Sequence, residues 1–182
     1  MTAKGRFAQV TMTLLLALGL LECRTVIAEE GGDTGALVQA LGKSKVTLLA
    51  GMRQAAQGKA TVISAKFEME DGKLSLSVYT AEKGLAVPAE ENVLQELSGS
   101  PEQDKWTPQT EIFKDVPHVS RSAEQLTLVA LAHKSLPAIV AEVQKSQKGT
   151  VFSVTPTVRD HRAVAVILIA QKGKVVTVNR PL

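Results

Sequence analysis

"KFEMEDGKLSLSVYTAEKG", from Lys66 to Gly84, is followed 89 positions later by "TPTVRDHRAVAVILIAQKG", from Thr155 to Gly173. The two stretches place charged turns and alternating apolar residues at matching positions. An ungapped alignment of residues 60–84 with residues 149–173 has seven identical positions among 25. This repeated pattern predicts that one structural unit occurs twice in the chain.

Each copy begins with a predicted β-strand. In the first copy, Ile63, Ala65, Phe67 and Met69 alternate with polar or charged residues. A period of two places one set of side chains on a buried face and the other set in water. In the second copy the buried set becomes Phe152, Val154, Pro156 and Val158. The phase is retained, which predicts a retained register.

Each strand is followed by a predicted tight turn and a second strand. Asp71-Gly72 is a strong hairpin signal, because glycine adopts positive φ without a steric penalty. Asp160-His161-Arg162 takes its place in the second copy, where histidine adds a cost or requires a different turn. The second strands are Leu74–Thr80 and Ala163–Ile169, and the composition of Lys174–Val178 predicts a third strand.

Helical segments precede both strand sets. "TLLAGMRQAAQ" starts at Thr47 and "SLPAIVAEVQK" starts at Ser135, each opened by a residue that can cap a helix. Earlier helices are predicted over residues 35–41 and 123–133, and the alternative is a continuous helix with a kink near Pro137. The resulting fold class is α+β, with two tandem units in which a helical layer covers an antiparallel meander. The predicted units are residues 29–97 and 123–182, joined by a connecting segment over residues 98–122.

The first 28 residues have the composition of a secretory signal peptide. Basic residues precede a short apolar run from Val10 to Leu21, and a small-residue site ends at Ala28. Cleavage there predicts a periplasmic or secreted protein without a stable membrane span. The alternative is lipidation of Cys23, although Glu22 stands where that signal needs a small residue.

Cleavage after Ala28 changes the chemistry of the chain. It removes the single cysteine, so no disulfide or thiolate remains. The mature part has 18 Lys and Arg against 17 Asp and Glu, a net charge of +1. We find no cluster of basic residues that would predict a nucleic acid as partner.

The segment ISAKFEMEDGKLSLSVYTAEKG, with the helical stretch before it, resembles the PepSY domain pattern. The segment QKGTVFSVTPTVRDHRAVAVILIAQKGKVVTV resembles a diverged second copy. The family often has an Asp and a Thr-Gly turn after its second strand, where this chain has residues 87–92, VPAEEN. The resemblance implies a fold similar to a beta-lactamase inhibitor protein. It also implies an exported module that binds a protein, such as an envelope or secreted peptidase, and regulates it without turnover.

One difference between the copies predicts a contact surface. The outer residues of the second strand are Ser75, Ser77 and Tyr79 in the first copy, but Val164, Val166 and Leu168 in the second. Apolar residues on a face expected to meet water mark a covered surface. We expect the cover to be the segment from Trp106 to Phe113, the first unit, or another chain. Intramolecular cover by this chain is the favoured alternative.

The sequence contains no recognisable catalytic constellation. His118, His133 and His161 lack the spacing of metal ligands, and no nucleophile elbow occurs. Gly31–Gly35 lacks the ending of a phosphate-binding loop. We therefore predict no enzyme activity and no cofactor. The alternative to protein binding is a periplasmic carrier of a small molecule or lipid, held between the sheet and the helices.

Overall fold

The structure is a computed structural model that describes residues 34–182. The predicted signal peptide, with Cys23 and Ala28, lies outside the described residues. The elements are α1 (Thr34–Ala40), α2 (Leu48–Ala55), β1 (Thr61–Glu70), β2 (Lys73–Ala81), β3 (Leu94–Gly99), β4 (Gln109–Ile112), α3 (Val116–Ala130), α4 (Leu136–Ser146), β5 (Thr150–Arg159), β6 (Arg162–Gln171) and β7 (Lys174–Pro181). Short 3-10 turns occupy Leu41–Lys43 and Ala89–Glu91.

The seven strands within residues 34–182 form a single antiparallel sheet in the order β4-β3-β2-β1-β5-β6-β7. The sheet is continuous because β1 pairs with β5, through Ala65 opposite Val154 and Lys66 opposite Ser153. The predicted fold class, two tandem helix-plus-meander units of two layers each, is therefore wrong. Pairing of two strands 89 residues apart merges the meanders into one sheet, and the residues of the two strands contain no signal of this partnership.

Helices lie on both faces of the sheet. The first face carries the larger core, in which side chains of α2 and α4 pack on the strands. Gly51 of α2 comes so close to β2 that a Cβ atom there would stand 2.5 Å from Leu76 Cδ2. The second face has a smaller cluster, in which Leu126 of α3 packs with Ile63 and Phe113. The helices thus form two layers around the sheet instead of the predicted one.

Both long hairpins contain a β-bulge near their open end. The register of β1 on β2 shifts between Val62 and Ser64, and that of β5 on β6 shifts between Val151 and Ser153. An extra residue reverses the alternation locally. Ile63 therefore joins the second-face cluster, whereas Ala65 belongs to the first-face core. The predicted common face for these two residues is wrong for this reason. Ile63 and Phe152, the two bulge residues, belong to different clusters.

The hairpin tips have the same backbone geometry despite their different residues. Asp71 and Gly72 have φ of 49° and 74°, and Asp160 and His161 have φ of 49° and 60°. Two consecutive positive φ values are the mark of a type I′ turn. His161 thus adopts a left-handed conformation that glycine adopts at lower cost.

Helix starts follow the expected capping chemistry in part. Thr47 caps α2, accepting a hydrogen bond from the Ala50 amide at 3.1 Å. Ser135 makes no side-chain cap for α4, although Pro137 stands in the first turn. Helix α3 starts at Val116, well before the predicted residue 123, because Asp115 caps it. The segment 98–122 therefore contains the end of β3, all of β4 and the start of α3.

Candidate functional site

The five residues of the predicted contact surface lie in three different places. Val164, Val166 and Leu168 share the second face of β6, where all three are half-buried and Leu168 packs against the larger cluster of buried residues. Trp106 is buried in the first-face core, on the other side of the sheet. Phe113 belongs to the second-face cluster around Ile63. The segment from Trp106 to Phe113 therefore does not cover β6, and the predicted surface is reduced to its three β6 residues.

Trp106 is a structural residue of the loop between β3 and β4. It is 1% exposed, and its indole Nε1 donates to the Gly99 carbonyl at 3.2 Å. Its own carbonyl accepts a hydrogen bond from Gln54 Nε2 of α2 at 2.9 Å. These bonds join the loop to the strand before it and to a helix of the first face.

The open part of the second face adjoins a free sheet edge. Helix α3 packs over the central strands β1 and β5, and Phe113 lies toward β3. Strand β7 pairs with β6 on one side, and no described strand pairs with its other side. It is eight residues long, whereas the opposite edge strand, β4, has four. An unpaired edge of this length exposes backbone groups that can pair with another chain.

The two ends of the sheet carry opposite charge. Residues 61–99 contain three Lys and Arg against seven Asp and Glu, a net charge of −4. Residues 150–182 contain five Lys and Arg against one Asp, a net charge of +4. None of these five cations forms a salt bridge within residues 34–182: Arg159, Arg162, Lys172, Lys174 and Arg180. The half of the sheet with the free β7 edge is thus basic.

A cleft of about 180 Å³ lies between α3 and the centre of the sheet. Its lining comes from β1, β2, β5 and α3: Ser64, Lys66, Tyr79, Thr155, His118, Arg121, Ser122 and Gln125. Polar side chains line the cleft both on the strands and on α3. Sequence reasoning placed Ser64, Lys66 and Tyr79 on strands and rejected His118 as a metal ligand, but it predicted no cleft.

Electrostatic contacts surround Tyr79, the only tyrosine of the chain. Burial, followed by the nearby charges of Glu96 and Glu68, raises the pKa of its hydroxyl, so that the phenol stays protonated. The Lys66 ammonium forms a salt bridge with Glu68 at 2.5 Å and lies 5.8 Å from the centre of the Tyr79 ring. The Tyr79 ring also stacks on Phe113, with 6.0 Å between ring centres.

The first turn of α3 fixes His118 at the mouth of the cleft. Asp115 accepts the His118 backbone amide at 3.2 Å, and its carboxylate lies 2.8 Å from His118 Nδ1. These bonds, backbone first, hold the pKa of the Asp115 carboxyl below its usual value. The imidazole stacks on Phe113 with 5.1 Å between ring centres.

The three histidines lie on different elements of the fold. His118 lies on α3, His133 lies between α3 and α4, and His161 is at a hairpin tip. Among residues 34–182, no group of three His, Cys, Asp or Glu side chains converges as metal ligands would. Within the same residues, no helix is both long enough and apolar enough to cross a bilayer.

Comparisons with known proteins give one distant structural similarity. No family model matches the chain, and no curated protein matches its sequence. A solved structure of a predicted lipoprotein from Clostridium difficile 630 covers 75% of this chain, with 95% of its own chain aligned. The sequence identity is 14% and the TM-score is 0.35.

Proposed function

We propose that this chain is an exported, non-enzymatic module that binds an extended, acidic segment of another exported protein along β7. The observation that carries the proposal is the combination of the free β7 edge with the half-buried apolar side chains of β6 beside it. The resemblance to PepSY domains supports the class of function and suggests a peptidase as the partner.

The edge favours recognition by strand addition. An added strand forms main-chain hydrogen bonds with the edge, and its alternate side chains meet the two faces of the sheet. On the second face those side chains would lie beside Thr177, Asn179 and Pro181, the β7 residues paired with Leu168, Val166 and Val164 of β6. An added side chain long enough to reach across β7 would cover the β6 residues, and each half-exposed apolar side chain that leaves water contributes to binding.

The positive charge of β7 favours an acidic segment as its partner. Lys174 and Arg180 stand near the two ends of β7, and neither forms a salt bridge in the described part of the chain. A second copy pairing antiparallel about Thr177 would place these cations opposite each other, which is unfavourable. An acidic strand relieves this repulsion. The proposed occupant is therefore a different protein and not a second copy.

A direct test uses the chain from Glu29 onward, which contains every described element. The probe is a labelled peptide as long as β7 with alternating Val and Glu, and binding is measured by fluorescence anisotropy. We expect the double variant Lys174→Glu, Arg180→Glu to bind at least about tenfold more weakly. The matched control, Lys43→Glu with Lys105→Glu, changes two exposed lysines elsewhere and should bind normally.

Several outcomes contradict the proposal. They are equal binding of a Val and Lys peptide, an equal loss in the control variant, concentration-dependent dimers that the β7 variant abolishes, and tighter binding of duplex DNA than of the peptide. Capture from an envelope extract then identifies the partner, and addition of the purified chain to a captured peptidase tests regulation. Loss of that capture in the β7 variant alone is the expected result.

A further inference from the structure

We propose that the cleft under α3 binds a small monocarboxylate, with Arg121 holding the carboxylate and with Ser122 and Gln125 binding a neighbouring polar group. The site is distinct from the β7 edge, because it lies on the central strands beneath α3. It therefore stands or fails independently of the function proposed above.

Two buried polar side chains line the cleft without a protein partner. Ser122 is 3% exposed and Gln125 is 6% exposed. Neither side chain makes a hydrogen bond to any described residue, in contrast to Ser64, whose hydroxyl donates to the Val154 carbonyl at 3.2 Å. Their polar atoms are not among the fully buried, unsatisfied side-chain atoms of the described chain, so they face the space of the cleft that both residues line. A bound polar molecule supplies the missing partners.

The available cation is Arg121. Lys66 is engaged by Glu68, and the Nδ1 atom of His118 is engaged by Asp115. Arg121, one turn of α3 away from Gln125, forms no salt bridge within residues 34–182. A guanidinium presents paired N–H donors that match the two oxygens of a carboxylate.

The surrounding acids restrict the charge of the ligand. Glu68 pairs with Lys66 and Asp115 pairs with His118, so these two lining residues carry little uncompensated charge. Arg121 is then the one unpaired positive charge of the lining, and a ligand with a single negative charge balances it.

The size of the cleft restricts the ligand further. Its volume of about 180 Å³ is below the usual range for drug-sized ligands, roughly 300–1,000 Å³. It corresponds to roughly six water molecules at about 30 Å³ each. A lipid chain does not fit these limits, but a free amino-acid derivative or the last residue of a peptide does. Both sources present the same chemistry, a carboxylate with an amide beside it.

The test is an NMR titration of the chain from Glu29 onward with N-acetylglycine as the probe. The reporters are the side-chain amide of Gln125 and the ring protons of Tyr79, which is the only tyrosine. We expect saturable shifts of both reporters with the acid and none with its methyl ester. Arg121→Gln should weaken binding at least about tenfold. Arg53→Gln, which removes an exposed arginine on the opposite face, should leave it unchanged.

A second pair of ligands distinguishes the two sources. An acetylated tripeptide with a free carboxylate is compared with the same tripeptide ending in an amide. Tighter binding of the free-acid tripeptide than of N-acetylglycine, lost in Arg121→Gln, assigns the site to peptide C-termini. Binding of N-acetylglycine without binding of the tripeptide assigns it to free small acids.

The proposal is overturned if the ester shifts both reporters as the acid does, if the acid shifts neither, or if Arg53→Gln weakens binding as much as Arg121→Gln. Fluorescence of the buried Trp106 during urea unfolding checks that each variant remains folded. Where Arg121→Gln changes stability, Gln125→Leu replaces it as the second test, with the expectation of weaker binding and an unchanged preference for the acid over the ester.

Discussion

Strands β2 and β6 occupy matching positions in the two long hairpins. On the second face of the sheet, the polar side chains of β2 are nevertheless more buried than the apolar side chains of β6. Ser75 and Ser77 of β2 are buried, whereas Val164 and Val166 of β6 are half-buried. Burial on this face therefore depends on what lies over each strand and not on the polarity of the side chain. Ser77 donates a hydrogen bond to Glu68 beside it, whereas Val164 and Val166 keep part of their surface in water. That difference is the reason to expect an external partner at β6.

The largest expected loss of stability comes from a substitution at a covered position of the second face, compared with one at an open position. Ile63→Ala should lower the free energy of unfolding by about 2–5 kcal/mol, because Ile63 is fully buried in the second-face cluster. Val166→Ala should cost less than about 1 kcal/mol, because part of its side chain is already in water. Urea unfolding followed by Trp106 fluorescence measures both. Equal losses would contradict the view that β6 is uncovered.

A second prediction places the β6 residue on β2. Ser77→Val introduces the side chain that occupies the matching position 166. It removes the hydrogen bond that Ser77 Oγ donates to Glu68 Oε1 at 2.8 Å and adds volume at a residue that is 1% exposed. We expect a loss of about 1.5–3 kcal/mol, as for a bond to a charged group. The reverse change, Val166→Ser, should cost less than Ser77→Val.

Thr80, on the first face of β2, gives a contrast to Ser77, because it is a buried hydroxyl without a partner. Its Oγ1 atom makes no hydrogen bond in the described structure, and the residue has no exposed surface. Thr80→Val keeps the shape and removes the unsatisfied group, so we expect a gain of about 1 kcal/mol. Thermal unfolding measures the change. A loss comparable to that of Ser77→Val would indicate that Thr80 has a bonding partner.

Substitutions at the two hairpin tips should have smaller effects on stability, and the two effects should be opposite in sign. Gly72→Ala places a Cβ at φ of 74°, so we expect a loss of about 1 kcal/mol. His161→Gly relieves the left-handed conformation at the matching tip and should gain up to about 1 kcal/mol. Urea midpoints of the two variants and the parent protein test this pair. The same sign of change in both variants would refute the shared turn geometry.

The smallest effect concerns the cap of α3. The pKa of Asp115 is lowered in the folded state, so its stabilising contribution is present above the ordinary carboxyl pKa and is lost as the pH falls through the lowered value. Asn caps a helix without titrating. The difference in urea midpoint between the parent protein and Asp115→Asn should therefore shrink as the pH falls from about 6 to below the ordinary carboxyl pKa. A difference independent of pH would exclude this titration.

Local patterns predicted much of the secondary structure. Alternation located β1, β2, β5 and β6, Asp71-Gly72 predicted its turn, and Thr47 was expected to cap α2. The bulges at Ile63 and Phe152 escaped prediction, because one extra residue leaves composition and spacing almost unchanged. The single sheet could not be predicted for a different reason, because the pairing of β1 with β5 depends on packing between distant segments.

The cleft was missed although the sequence contains one signal of it. Ser122 and Gln125 occupy buried positions of α3 beside Leu126 and Val129, where an amphipathic helix would carry apolar residues. Polar residues in an apolar stripe are unusual enough to mark a site. Ser122 and Gln125 line the same cleft as Tyr79 because α3 lies over the second face. Helical periodicity alone does not determine that placement.

The junction between β1 and β5 also bears on how the chain reaches its fold. Only two residue pairs join these strands, whereas nine join β1 to β2. The hairpins close over short loops and can form early, but the junction must bring together residues 89 apart, which is slow. Until it closes, β1 and β5 each present an unpaired edge to neighbouring chains. Domain swapping between two molecules, with each completing the other's sheet, is the misassembly to which this topology is most exposed.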